Sequence, residues 1–192
     1  MRNLTEQLTQ YAEYHRDTRN IATHFVGIPM IVLALAVLLS RPVWANFGAN
    51  PGVGVAAWPL HGVPLSPACV LFGATTLYYL VLDVPLGLTM AAISALCLGF
   101  GAWLAQHGTA AWLAGGMGLF VVGWIFQFVG HIAWEHRKPA FADDLIGLII
   151  GPLFVLAEAL FGLGWRPDLR AAIEAKAGPT RINPPRGHAA RS

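Results

Sequence analysis

The sequence predicts an all-α, polytopic helical membrane protein. It should have four spans, an N-terminal amphipathic helix and a re-entrant or half-inserted fifth apolar segment. Three observations carry this. The 192 residues are 56% hydrophobic and only 11% charged, against about 45–50% and about 25% in an ordinary soluble domain. The chain is divided into apolar runs near the ~20 residues that a helical span requires. The basic residues gather on one predicted side. So little charge cannot coat a soluble globule of this size. A net charge of +2 is also too small and too dispersed for a phosphate-tracking surface, so a nucleic-acid binder is excluded.

Residues 1–15 read as an amphipathic helix, because Leu4, Leu8, Tyr11 and His15 recur at helical spacing on one face. A polar knot follows at 16–20. The first apolar run, 21–40, contains His24 and Gly27-Ile28-Pro29. It follows a long polar segment, so it reads as an uncleaved membrane helix rather than a signal peptide. Residues 41–65 form a loop rich in Pro, Gly, Asn and Trp. The second run is 66–82, closed by the turn Asp83-Val84-Pro85, where Pro removes a donor and restrains its neighbour. The third run, 86–106, ends at His107-Gly108-Thr109, and the fourth covers 110–134.

A charged connector occupies 135–144. Asp143 and Asp144 are placed to open the next helix, whose N-terminus favours negative charge. The fifth stretch, 145–165, holds Gly151-Pro152, read as a break, and Glu158. Gly115, Gly116, Gly118 and Gly123 read as sites of close helix approach. Cys69 and Cys97 lack any metal-type spacing and read as small buried hydrophobes. Residues 1–177 are expected to form a single integral-membrane catalytic domain, and 178–192 a disordered tail.

Lys and Arg set the topology. Three precede residue 21, two lie in the connector and six follow residue 165, whereas the 41–65 loop carries only Arg41. Four crossings place eleven of the twelve on one face, and a fifth full crossing would send the six-charge tail to the other. Both termini are therefore expected in the cytoplasm, with 145–165 not fully crossing. Irregular backbone at that depth must be covered by protein or face water.

An ionisable group in an apolar run is a functional candidate. His61, His107 and His188 fall in loops or the tail and read as solvated. His15, His24, His131 and His136 share the cytoplasmic boundary. Histidines from several helices with a carboxylate suit Fe, Zn or Mn. His15 and His24 are nine residues apart, so a continuous helix would point them in opposite directions. For both to hold one metal the chain must bend within 16–20. Asn20 either caps the following helix or fixes a ligand histidine's tautomer. Glu135 lies one turn beyond His131 on the same face, whereas His136 points away and ranks last. Glu158 is a ligand, a proton relay or a packing hydrogen bond.

The pattern Tyr11-x3-His15-x4-Asn20-x3-His24-x2-Gly27-Ile28-Pro29 resembles the N-terminal signature of the membrane 2-hydroxy fatty acid dioxygenases. That family was long catalogued as a domain of unknown function. It has bacterial, plant and fungal members, and the fungal one acts in phytosphingosine breakdown at the endoplasmic reticulum. The second signature is similar too: Trp124-x2-Gln127-Phe128-x-Gly130-His131-x3-Glu135-x3-Pro139-Ala140, then Pro152-x-Phe154-x3-Glu158. The two blocks span about residues 8–165. His136 and the 41–65 loop are not carried over.

The resemblance implies an Fe(II)-dependent α-oxidation, in which a 2-hydroxy fatty acid and O₂ give CO₂ and the acid one carbon shorter. It implies His15, His24 and His131 as iron ligands, with open positions for substrate and O₂. Glu135 and Glu158 would be a fourth ligand, a supporting partner or a proton acceptor. Asn20 would join them in catalysis. Arg19, Arg137 and Lys138 would attract the carboxylate, with Gln127 also binding substrate and the acyl tail lying among the spans. The setting would be a bacterial inner membrane.

Two other classes compete: a proton-coupled transporter and a non-catalytic membrane scaffold with structural histidines. A transporter fits poorly, because the polar residues cluster at one face and no duplicated half is visible. Metal content separates the enzyme from the scaffold.

Overall fold

The computed structural model describes residues 2–47, 63–136 and 145–182. Its elements are α1 (Leu4–Glu13), α2 (Thr18–Leu38), β1 (Ala45–Phe47), β2 (Val63–Leu65), α3 (Pro67–Leu82), α4 (Val84–Ala105), α5 (Thr109–Gly130), a π-helical turn (His131–Glu135), α6 (Ile146–Gly162) and α7 (Pro167–Ala177). Arg137, Lys138, Asp143, Asp144, His61 and His188 lie outside the described residues.

The architecture is helical and polytopic. Among the described residues, three helices are long and apolar enough to cross a membrane: Thr18–Leu38, Val84–Ala105 and Thr109–Glu135. The α6–α7 pair, bent by 118°, would be a fourth if it forms one broken span. α3 has 16 residues, or about 24 Å at 1.5 Å per residue, and is short of the ~30 Å hydrocarbon core. α3 and α4 expose large apolar side chains, with Val81 and Leu96 both 70% accessible, as lipid-facing helices do.

The chain divides into two compact units. One spans Pro29–Gly123. There α3 and α4 pack as an antiparallel pair about Asp83, whose carboxylate caps α4 by accepting from Leu86 N–H at 3.1 Å. Gly108, at φ 92°, makes the next turn. Arg41 donates to the Ala105 carbonyl at the end of α4 and to Thr109 Oγ1 at 3.1 Å. Its guanidinium also lies 5.1 Å from the Trp112 ring centre. A Cβ at Gly101 would strike the Ala36 carbonyl, so α4 meets α2 backbone to backbone. Gly115 and Gly116 admit Leu104 and Leu38, as expected, whereas a Cβ at Gly118 would meet nothing within 4 Å among the described residues, so the close approach expected there is not seen. The β1–β2 ladder, Ala45 opposite Leu65, was not anticipated. Its three-residue strands are too short to show alternation.

The other unit comprises Met1–Ile28 and Trp124–Ser192. α1 opens with a capping box between Asn3 and Glu6. It buries the expected face, with Leu4, Leu8, Tyr11 and His15 at 7% exposure or less, against α6 and α7. One expectation needs correction here, and one pair of alternatives is decided. Gly151-Pro152 does not break the helix, since α6 runs through it. Gly151 instead admits Tyr11, whose hydroxyl would lie 3.0 Å from a Cβ there. The chain turns later, at 163–166, where Gly164 (φ 81°) and Arg166 (φ 47°) are left-handed. Asn20 is not the cap of α2 either. Asp17 is, accepting from Arg19 N–H at 2.9 Å.

Candidate metal centre

The site is built where α1 ends. α1 stops at Glu13 and α2 starts at Thr18, so the bend demanded by the histidine spacing exists. It swings the two rings together: His15 Nε2 lies 3.0 Å from His24 Nε2. His131, first residue of the π turn, adds a ring centred 4.8 Å from His15 and 5.0 Å from His24. A π turn is rare and recurs at functional sites. One donor nitrogen from each histidine lies within 4.8 Å of the others, and all three side chains are at most 2% exposed.

Hydrogen bonding fixes two tautomers. His15 Nδ1 is 2.7 Å from the Tyr11 carbonyl, and His24 Nδ1 is 2.9 Å from the Asn20 carbonyl. A carbonyl only accepts, so each Nδ1 carries the proton. Each Nε2 is then a lone pair, and the two face each other at 3.0 Å. Two acceptors at that distance repel unless an electrophile lies between them. Nitrogens about 2.1 Å from one metal and at right angles about it would be about 3.0 Å apart. The donor set therefore fits a metal ion. Burial, with the His24 and His131 rings adding to it, holds His15 well below the usual imidazole range, in the neutral form that ligation requires. Tyr11 backs the site, its ring 4.2 Å from His15 and 6° from parallel, and Phe154 packs against both, 4.9 Å from Tyr11 and 5.8 Å from His15.

The other sequence-predicted residues divide. Among the described residues, Glu135 and Glu158 are not in the ligand cluster. Glu135 Oε1 accepts from Arg16 N–H (2.6 Å), Asp17 N–H (2.8 Å) and Asn20 Nδ2 (3.2 Å), so it fastens the bend rather than pointing a lone pair at the histidines. Asn20 reaches Glu135 with its side chain and orients His24 with its carbonyl. Glu158 lies on α6, where its charge acts on Arg16. Arg19 is bound to Asp17, Nη2 to Oδ2 at 2.7 Å, and its guanidinium lies 5.6 Å from the Trp134 ring centre. Gln127 is buried one turn before His131, and its Nε2 has no hydrogen-bond partner among the described residues. His131 Nδ1 and Asn20 Oδ1 share that condition. His136 is exposed in a left-handed conformation (φ 52°), away from the cluster.

Three contributors were missed. Asp17 is fully buried and caps α2; an Asp before an apolar run is a start signal that could have found it. Arg16 donates to the Ala12 carbonyl at 2.5 Å and to Gly178. Burial pushes its guanidinium down from its ordinary value, opposed by the carboxylates of Glu158, Glu135, Glu174 and Glu13. Tyr11 belonged to the motif, but nothing in the motif marked it as the wall behind His15.

The family model described as 2-hydroxy-palmitic acid dioxygenase Mpo1-like matches residues 1–163. The chain is 32% identical over 174 residues to the 2-hydroxy-palmitic acid dioxygenase MPO1 of Saccharomyces cerevisiae, covering 90% of this chain and 88% of that protein. No solved structure matches it. The family model's span contains His15, His24 and His131, and the chain belongs to the Mpo1-like family.

Proposed function

We propose that this protein is a membrane dioxygenase that uses Fe(II) to shorten 2-hydroxy fatty acids by one carbon. The substrate and O₂ would give the shorter acid, CO₂ and water. The two oxidised carbons supply the four electrons that O₂ takes up, so no external reductant is needed. The observation that carries this reading is the facing pair of His15 and His24 Nε2 lone pairs at 3.0 Å, beside His131 in a family with a named dioxygenase.

In this reading His15, His24 and His131 hold the iron. Bound iron would supply the one-electron chemistry that O₂ needs. Three neutral imidazoles leave the ion's positive charge uncancelled, which favours a substrate carboxylate beside it. The Tyr11 and Asn20 carbonyls keep the His15 and His24 Nε2 lone pairs directed into the site. Gln127 Nε2 is a buried donor available to a substrate oxygen. Arg19, Arg137 and Lys138 are proposed to attract the carboxylate at the membrane face. Glu158, acting on Arg16 next to His15, is proposed to carry a proton, and Asn20 and Glu135 to support catalysis by holding the bend. The proposal places this activity in one membrane domain over residues 1–177, with both termini cytoplasmic in a bacterial inner membrane.

The test is direct. The purified protein is loaded anaerobically with Fe(II), and its iron and zinc are counted. It is then given 2-hydroxypalmitate and O₂. Iron near one per chain and a C15 acid product are expected. Metal below about 0.2 per chain, or no shortening, overturns the reading.

A further inference from the structure

The bend that joins His15 to His24 is held by a second segment, contributed by the end of the described chain. Arg181 N–H donates to the Arg16 carbonyl at 3.1 Å, and Thr18 N–H donates to the Arg181 carbonyl at 3.4 Å. Together they pair Asp17 with Arg181 as an isolated parallel bridge. The Arg16 guanidinium adds a bond to the Gly178 carbonyl. This segment is anchored. α7 buries Leu169 and Ile173 and packs on α1. Gly178, at φ 82°, then releases the chain from the helix. The family-model match ends at residue 163, so the anchor and the paired segment both lie beyond it.

We infer that residues 178–181 are a positioning strap for the metal centre, whose main-chain pairing with residues 16–18 sets the approach of His15 to His24 and so the metal affinity. The inference rests on the three histidines binding a metal. Glu135 already takes the N–H groups of Arg16 and Asp17. The strap takes what Glu135 leaves, the Arg16 carbonyl and the Thr18 N–H. The Arg16 and Asp17 N–H groups, the Arg16 carbonyl and the Thr18 N–H are thereby all tied. Groups hydrogen-bonded directly to metal ligands typically change affinity about 10–100-fold, and the strap, acting through the backbone beside His15, is expected at the lower end. The exposed Arg181 side chain plays no part in the mechanism, which uses only its backbone.

Proline substitution separates the backbone from the side chain, because it deletes the N–H. The full-length protein in detergent is titrated with Co(II), following the ligand-field bands and the dissociation constant. Arg181→Pro should weaken Co(II) binding about tenfold and shift the bands, with the metal-free melting temperature held near wild type. Arg181→Ala, which keeps the N–H, should match wild type. A chain ending at Ala177 should behave as Arg181→Pro, and decides the matter if the proline variant does not fold. Wild-type affinity in both Arg181→Pro and the shortened chain overturns the strap and leaves the metal centre standing. Equal weakening in Arg181→Ala overturns the main-chain mechanism. Absence of Co(II) binding by wild type overturns the metal centre and the strap together.

Discussion

Glu135 Oε1 accepts the Arg16 amide proton at 2.6 Å, joining residues 119 positions apart. The same oxygen takes the Asp17 amide and the Asn20 side chain. Taking three N–H groups on one oxygen, this carboxylate fastens the start of α2 to the π-helical turn that follows α5. The two ends of the site, His15 with His24 and His131, are held to one another through it.

Glu135 is therefore expected to tolerate amide substitution. Glu135→Gln keeps an acceptor oxygen, and should retain metal within about tenfold of wild type. Glu135→Ala leaves the Arg16 and Asp17 amides unpaired and should cost about 1–3 kcal/mol. Metal titration and thermal unfolding in detergent measure both. Complete loss of metal in the Gln variant would make Glu135 a ligand instead.

Removal of any one ligand should empty the centre. His15→Ala, His24→Ala and His131→Ala are each expected to lower bound iron from near one to below about 0.2 per chain. His136→Ala, outside the cluster, should retain it. Elemental analysis after anaerobic loading decides, and equal retention in all four variants would dissolve the assigned triad.

Gly130 permits the Asn20 amide to lie against α5. A Cβ there would collide with Thr23 Oγ1 and Asn20 Oδ1. Gly130→Ala is expected to destabilise the protein by about 1–3 kcal/mol through overpacking, and to weaken metal binding through displaced Asn20. An unchanged melting temperature would show that the helices part without cost.

Tyr11 should act through its ring. Tyr11→Phe keeps the stack on His15 and should stay within about 1.5 kcal/mol of wild type. Tyr11→Ala removes a buried aromatic ring that packs on both His15 and Phe154 and should cost about 3–5 kcal/mol. Denaturant unfolding of the metal-free protein compares them. Similar losses in the two variants would place the contribution in the hydroxyl.

Much of this was legible one residue at a time. The buried face of α1 follows from its spacing. The nine-residue gap between His15 and His24 required a bend, and the bend is there. Asp83 and Gly108 end their helices where the turn signals stood. Local rules misled at Gly151-Pro152, because whether a Gly-Pro pair breaks a helix depends on what packs beside it, and here Tyr11 does. At Asn20 they left two roles open: Asp17, three residues earlier, takes the cap, and Asn20 orients His24 through its carbonyl.

The sequence by itself determined that this is a helical membrane protein, and which ionisable residues fall in or beside its apolar runs. Both are local properties: transfer of side chains from water to hydrocarbon adds residue by residue along a helix. The tertiary structure decided the chemistry. It chose which nitrogen of His15 and of His24 faces the site, through carbonyls four residues earlier. It turned Glu135 from a candidate ligand into a clasp for the bend. The clasp depends on directional contacts between segments more than 100 residues apart, and the tautomers on local carbonyl directions, neither of which composition and periodicity encode.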